Sequence, residues 1–322
     1  MKLPLIKVEN VKKVFSGNSV LDNISFEIVS GEIFGLIGAS GSGKTTLLNT
    51  LVGFLQPDSG DVFFRDDNIV EANDNSRFRS VFENLNDVKK KFGFAAQVPS
   101  FYSKLTVFEN LDYFGSLYNL SKEARLTNIN TLLDLVELDN ARNILAGNLS
   151  GGMQRRLDIA CALIHDPMIL ILDEPTSDLD PVLAKHIWLL LQKINKRGTT
   201  IIVASHHFAD IEEICSRIGI ISNGKMVHVG TLHELTGILS KGQEIHVETY
   251  PGNYEKIMKN LEDPLILAKE NRGNEFVIHT SKPDKVLEKV LKVLSQMDEN
   301  LMDVNITKLS LSDVFSKVSK KK

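Results

Sequence analysis

"EIFGLIGASGSGKTTLLNTLVGFL", residues 32–55, reads as three pieces joined end to end. The first, "EIFGLIG" (32–38), is apolar without a period, the pattern of a strand buried on both faces. "KTTLLNTLVGFL" then has the spacing of a helix that starts near Gly43. Between them "GASGSGKT" (38–45) fits G-x-x-x-x-G-K-[ST], and a strand, a glycine-rich turn and a helix are the setting that this phosphate-binding loop, or P-loop, requires. Glycines let successive backbone N–H groups point at one anion with no Cβ in the way, and the helix start adds its positive end. The expected cradle is Gly38, Ala39, Ser40, Gly41, Ser42, Gly43, Lys44, Thr45 and Thr46. Lys44 is placed to meet the β- and γ-phosphates, and the Thr45 hydroxyl to ligate Mg²⁺.

"MILILDEP" (168–175) is a second fully apolar strand, and it delivers Asp173 to its carboxyl end. An aspartate there is suited to hold Mg²⁺. Strand alternation sends the next side chain, Glu174, elsewhere, toward the γ-phosphate and its attacking water. "TTIIVAS" (199–205) is a third buried strand, followed by His206 and His207. A histidine at that point can sense the γ-phosphate by hydrogen bonding, and spacing alone does not choose between the two. Gln97 also follows a strand-like run, "GFAA", though a lone glutamine is most often polar surface.

Composition bounds what else the chain can do. Its 322 residues suit two domains, and a net charge of -4 removes the usual reason to expect nucleic-acid binding. Cys161 and Cys215 stand alone in helix-like stretches and read as reduced thiols. The first residues, "MKLPLIKVENVKKVF", interleave charge with apolar residues unlike a signal peptide, and no window is apolar enough to span a bilayer. A soluble, intracellular protein is the expectation.

Around the phosphate loop, "LIKVENVKKVF" and "SVLDNISFEIV" alternate as antiparallel strands. Residues 66–90 are polar and asparagine-rich, and read as a surface insertion with one short helix. Helical spacing over 105–140 suggests a helical subdomain, about 100–165. Helical stretches between the buried strands imply right-handed crossovers and a parallel sheet. "RIGIISNGKMVHVG" reads as a hairpin around Asn223-Gly224. Near residue 239 the pattern changes to strand, helix, hairpin, helix and strand, the βαββαβ order of a ferredoxin-like plait. The expected architecture is therefore an α/β P-loop NTPase domain over 1–238 and a small α+β domain over 239–322.

"NLSGGMQRR" (148–156) resembles another anion site, with Ser150, Gly151 and Gly152 opening a helix but no lysine among them. Together these stretches resemble the ATP-binding cassette (ABC) ATPases over roughly residues 5–235. The family order is complete: the P-loop, a glutamine loop at Gln97, the signature at 149–154, the acidic strand 168–174, the turn "SDLD" (177–180) and a switch histidine. Alignment with the family makes His206 the switch, and Phe15 the aromatic that stacks on adenine. The departures are Asp178, Ala96 and the long 66–90 loop.

The resemblance implies binding of ATP and Mg²⁺ and hydrolysis with Glu174, Gln97 and His206 as catalytic residues. Thr45, Gln97 and Asp173 are the expected metal ligands. It also implies that the signature and Asp180 of one subunit complete the site on the P-loop of another, so a second subunit, as in a homodimer, is required. The closing "LSLSDVFSK", with Asp313, Val314 and Phe315, looks like the tail of subunits that power exporters of drugs, lipids or polysaccharides. A transmembrane permease partner and attachment to the cytoplasmic face of the membrane through it follow from that likeness. The alternative is a soluble ABC ATPase with a non-transport role in ribosome function, repair, assembly or resistance.

Overall fold

A computed structural model of the chain describes residues 4–66, 77–83, 85–239, 243–307, 311–312 and 315. These divide into two compact units at Val229/Gly230, ahead of the break expected at residue 238.

The first unit begins with β1 (Pro4–Phe15) and β2 (Asn18–Val29), which pair antiparallel with Val8 opposite Phe26. The short β3 (Ile33–Ile37) is buried at all five positions and leads through the glycine loop into α1 (Lys44–Leu51). Next come β4 (Ser59–Arg65), β5 (Phe78–Ser80), α2 (Leu85–Lys91) and β6 (Phe92–Ala95). Strands β2-β1-β4-β5 form one sheet. Of the stretch 66–90 expected as a surface insertion with one short helix, residues 67–76 and 84 lie outside the described residues, α2 is the short helix, and the rest is more than surface. β5 is a sheet strand, and Val81 and Val88 are fully buried in the core.

The helical part holds α3 (Val107–Leu117), α4 (Lys122–Leu135) and α5 (Gly151–Leu163). A reciprocal Thr106–Glu109 capping box starts α3, and serine hydroxyls at Ser121 and Ser150 start the other two. The chain returns through β7 (Ile169–Asp173), α6 (Pro181–Lys196), β8 (Thr200–Ser205), α7 (Phe208–Ile214), β9 (Arg217–Ser222) and β10 (Lys225–Gly230). The second sheet runs β10-β9-β3-β8-β7-β6, with β9, β3, β8, β7 and β6 parallel. Asn223 and Gly224 both take positive φ, 49° and 74°, as a two-residue hairpin turn demands.

One core joins the two sheets. Phe26 stacks on Phe34 at 5.5 Å, and Leu47, Leu48 and Leu51 of α1 fill the space beside them. Burying each such side chain stabilises the fold by roughly 1.5–3 kcal/mol. The parallel register does the positioning. Ile37 lies beside Ser205 and Asp173 beside Ala204, so the loops after β3, β7 and β8 leave the sheet together at the carboxyl ends of its strands.

The second unit carries α8 (Leu232–Leu239), β11 (Gln243–Tyr250), α9 (Tyr254–Asn260), β12 (Ile266–Asn271), β13 (Phe276–Thr280), α10 (Pro283–Gln296) and β14 (Asn300–Thr307). The antiparallel order β12-β13-β11-β14 is the expected plait. Val286, Val290 and Leu294 of α10 recur at helical spacing and pack on Ile245, Val247, Phe276 and Ile278. Asp313 and Val314, which carry most of the tail resemblance, lie outside the described residues.

Candidate active site

The loop after β3 folds tightly because glycine is the only residue that fits at two points. A Cβ at Gly38 would clash with the Ser42 hydroxyl and the Ile221 carbonyl. Gly43 caps α1 with φ 106°, and a Cβ there would lie 2.8 Å from the Val20 carbonyl. Ala39, Ser40 and Gly41 are exposed, whereas Ser42 and Lys44 are buried. The Ser42 hydroxyl is buried without a hydrogen-bond partner. Lys44 Nζ donates to the Gly38 carbonyl at 2.9 Å and lies 3.6 Å from Glu174 Oε1. Thr46 sits half-buried in the first turn, its carbonyl accepting from Thr50.

Thr45 Oγ1 donates to Asp173 Oδ2 at 2.7 Å, across 128 residues of chain. The other oxygen, Asp173 Oδ1, is buried with no partner. Burial is the main cause pushing the Asp173 carboxyl above its ordinary range, with Glu174 adding to it, while Thr45, Lys44 and Arg155 pull the other way. A buried carboxylate with a spare oxygen beside a threonine hydroxyl is a donor set for a hard divalent cation.

Glu174 corrects the sequence reading. It does not continue the alternation of β7, because the strand ends at Asp173 and Glu174 takes φ 48°. Left-handed backbone, rarely adopted by a non-glycine residue, is what turns its side chain. The carboxylate spans two partners, Lys44 on one oxygen and His206 Nδ1 at 2.8 Å on the other. The His206 amide also approaches that second oxygen, at 3.3 Å. Geometry thus distinguishes His206 from His207, whose ring lies beside it at 4.2 Å.

The remaining expected residues lie elsewhere. Gln97 is exposed in the loop after β6, and Phe15 is exposed at the end of β1 with Lys13 Nζ 5.6 Å from its ring centroid. Ser150 caps α5 by accepting from the Met153 amide at 3.4 Å, and Gly151 beside it is exposed. Asp180 caps α6, accepting from the Val182 and Leu183 amides at 2.9 and 3.0 Å. A Cβ on Gly152 would lie 3.0 Å from Leu183, so the starts of α5 and α6 are neighbours. Among the described residues, no hydrogen bond or ion pair joins Gln97, Phe15, Ser150 or Asp180 to the P-loop. The P-loop cluster and the adjoining starts of α5 and α6 thus make separate sets of contacts among the described residues.

Sequence reasoning missed Arg155 and Asp158, which form a buried ion pair at 3.1 Å within α5. Their spacing of three on a helix was visible, but the surrounding pattern looked like an ordinary mixed helix face. Beside Asp158 a pocket of about 220 Å³ opens, lined by Phe54, Phe92, Phe94, Phe114 and Tyr118. Phe54, Val98, Tyr102, Tyr113 and Leu117 are exposed apolar or aromatic side chains of the same part of the unit.

The chain is similar to known proteins over most of its length. The profile of the ABC transporter family matches residues 21–177. The Nod factor export ATP-binding protein I of Rhizobium sp. (strain N33) is 33% identical over 281 residues, covering 87% of this chain and 88% of that one. The methionine import ATP-binding protein MetN of Clostridioides difficile (strain 630) is 37% identical over 232 residues, 72% of this chain and 70% of that one. Among solved structures, an ATP-binding cassette captured as a post-hydrolysis dimer with ADP and Pi superposes with a TM-score of 0.59 at 29% identity, covering 71% of this chain and 99% of that one.

Proposed function

We propose, from the premise that this chain belongs to the ABC transporter family as an ATP-hydrolysing, ATP-binding subunit, that it drives export through a separate membrane-spanning permease. The observation that carries the chemistry is the convergence of Lys44, Thr45, Asp173, Glu174 and His206 at the carboxyl ends of the parallel strands. Lys44 and the loop amides bind the ATP phosphates. Glu174 orients and deprotonates the attacking water, and His206 fixes that carboxylate from behind. Thr45, Asp173 and Gln97 are the residues to hold Mg²⁺, which when bound offsets charge on the phosphates. Phe15 stacks on the adenine.

Ser150, Gly151, Gly152 and Asp180 act on the nucleotide of a second copy. The separation of the two half-sites supports this reading, as does the dimeric cassette among the similar structures. A two-fold pair then buries two ATP molecules, each between the P-loop of one chain and the signature of the other.

Export is the reading we take from the tail likeness at Asp313, Val314 and Phe315 and from one relative. The similarity to the Nod factor export subunit of Rhizobium sp. (strain N33) covers 281 residues, more than the first unit holds. Among the described residues no helix is long and apolar enough to cross a membrane, so the path for substrate belongs to the partner. The aromatic-lined pocket at Phe54, Phe94 and Phe114 suits an apolar knob on a cytoplasmic helix of that permease, which would hold this chain at the membrane.

Affinity purification of the tagged chain from detergent-solubilised membranes tests this. The expected companion is an integral membrane protein of roughly six spanning helices. Replacing Phe54 and Tyr102 by aspartate should release it while ATP binding persists. Recovery with ribosomes or DNA-repair proteins in place of a membrane protein would overturn the transport reading.

A further inference from the structure

The guanidinium of Arg155 sits on α5, a few residues after the Ser150 cap, and is 6% exposed. One edge of its fork reaches the chain on both sides of Glu174. Nε donates to the Pro175 carbonyl at 2.9 Å and Nη2 to the Asp173 carbonyl at 3.0 Å. Its third nitrogen, Nη1, donates to the Ala96 carbonyl at 2.7 Å, immediately before Gln97, and to Asp158 Oδ2 at 3.1 Å. Asp158 Oδ1 in turn accepts from the amide and hydroxyl of Ser100 at 2.8 and 3.3 Å, beyond Gln97. The ion pair therefore brackets Glu174 by the carbonyls of its two neighbours, and Gln97 by Ala96 on one side and Ser100 on the other.

This bracket answers a question that the backbone raises. Left-handed φ at a non-glycine residue persists where its surroundings over-determine it. At Glu174 the restraints are the hydrogen bond its amide donates to the Ala204 carbonyl at 2.9 Å, those its carbonyl accepts from the Ser177 amide and hydroxyl at 3.2 and 3.0 Å, and the two neighbouring carbonyls gripped by Arg155. A planar fork with fixed donor directions can grip two carbonyls two residues apart, which a lysine ammonium cannot do with the same geometry.

We propose that Arg155, held by Asp158, is a positioning residue for ATP hydrolysis, which keeps Glu174 turned toward Lys44 and His206 and fixes the base of the Gln97 loop. The proposal rests on the reading of Glu174 as the group that activates water. It places no demand on ATP binding, because among the described residues Arg155 makes no hydrogen bond or ion pair to the P-loop.

The test uses the purified full chain. Arg155→Lys keeps a cation opposite Asp158 and loses the fork. Its expected effect is a fall in kcat of about tenfold or more, with the Kd for a fluorescent ATP analogue unchanged within about twofold. Placed on Glu174→Gln, the same change should cost much less than it does in the native chain, because the group it chiefly positions is already gone and only the Gln97 loop is left to loosen. A kcat within about twofold of the native value, a Kd that rises in step with the loss of turnover, or losses that multiply with Glu174→Gln would each overturn the proposal. If Arg155→Lys does not fold, the paired change Arg155→Gln with Asp158→Asn removes both buried charges together and is read the same way. Glu174→Gln alone tests the water-activating role, so failure of that reading is distinguishable from failure of this one.

Discussion

The Nζ of Lys44 and the Oε1 of Glu174 stand 3.6 Å apart, on side chains only 8% and 10% exposed. The second Glu174 oxygen is held by His206. The proposed function has this carboxylate, between a lysine that would bind phosphate and a histidine, act on water at the end of a phosphate chain. Glu174→Gln keeps the shape and removes the base, so steady-state phosphate release should fall by about 10²–10⁴-fold. ATP binding should persist, and size-exclusion chromatography with ATP should reveal an accumulated dimer. Turnover at the native rate would remove Glu174 from this role.

Ser150→Arg places a large cation where the start of α5 is expected to meet the partner's nucleotide. Neither Ser150 nor Gly151 touches the P-loop of its own chain, so equilibrium binding of an ATP analogue to the isolated subunit should change little. ATP-dependent dimerisation and turnover should both be lost. Surviving turnover would mean that the two half-sites are not shared between chains.

Asp173→Asn tests the cation site. The amide can still meet Thr45 Oγ1, but the negative charge beside the unpartnered oxygen disappears. ATPase activity measured against Mg²⁺ concentration should need much more metal for half-maximal rate, while metal-free binding of ATP is retained. An unchanged Mg²⁺ dependence would place the cation elsewhere.

His165 gives a pH signature unrelated to catalysis. Its ring stacks on Tyr118 at 3.6 Å, its Nε2 lies 3.2 Å from the Phe92 carbonyl, and burial pushes it from the ordinary 6.5 down to about 4. The folded pKa lies below the unfolded one, so between these values the unfolded chain takes a proton that the folded chain refuses. Stability therefore falls as pH drops through that window, by up to roughly 3 kcal/mol in total. His165→Phe keeps the stack and removes the titration. Urea unfolding at about pH 7 and about pH 5 should show a smaller acid loss in the variant. The buried Asp158 and Asp173 carboxyls, raised by burial, slope the opposite way, and the difference between the two proteins cancels them. An equal acid loss in both would refute the assignment.

Much of the molecule could be read from the sequence because its chemistry lies on short contiguous runs. The P-loop and the acidic strand each combine a backbone element with its reactive residue, so period and spacing identify both, whereas the signature read alone is only a helix start suited to an anion and takes its role from the family resemblance. The plait was legible for the same reason, from α10's single apolar stripe and the hairpin between β12 and β13. What escaped was held together by backbone. Arg155 binds carbonyls of Ala96, Asp173 and Pro175, and a carbonyl has no letter in the sequence. Glu174's left-handed turn is likewise invisible, since glutamate is not a residue that signals it. β5 and the buried Val81 and Val88 were hidden in a polar stretch because too few apolar residues mark them.

The single helix α5 has Ser150 at its tip and Arg155 little more than one turn further on. Under the proposed pairing the tip would belong to one active site and the arginine to the other, since Arg155 grips the carbonyls on either side of its own chain's Glu174 while Ser150 would face the nucleotide bound by the partner. The two catalytic centres would then be joined through the backbone of one helix. A subunit would meet its neighbour's nucleotide at one end of α5 and set its own glutamate from the next turn.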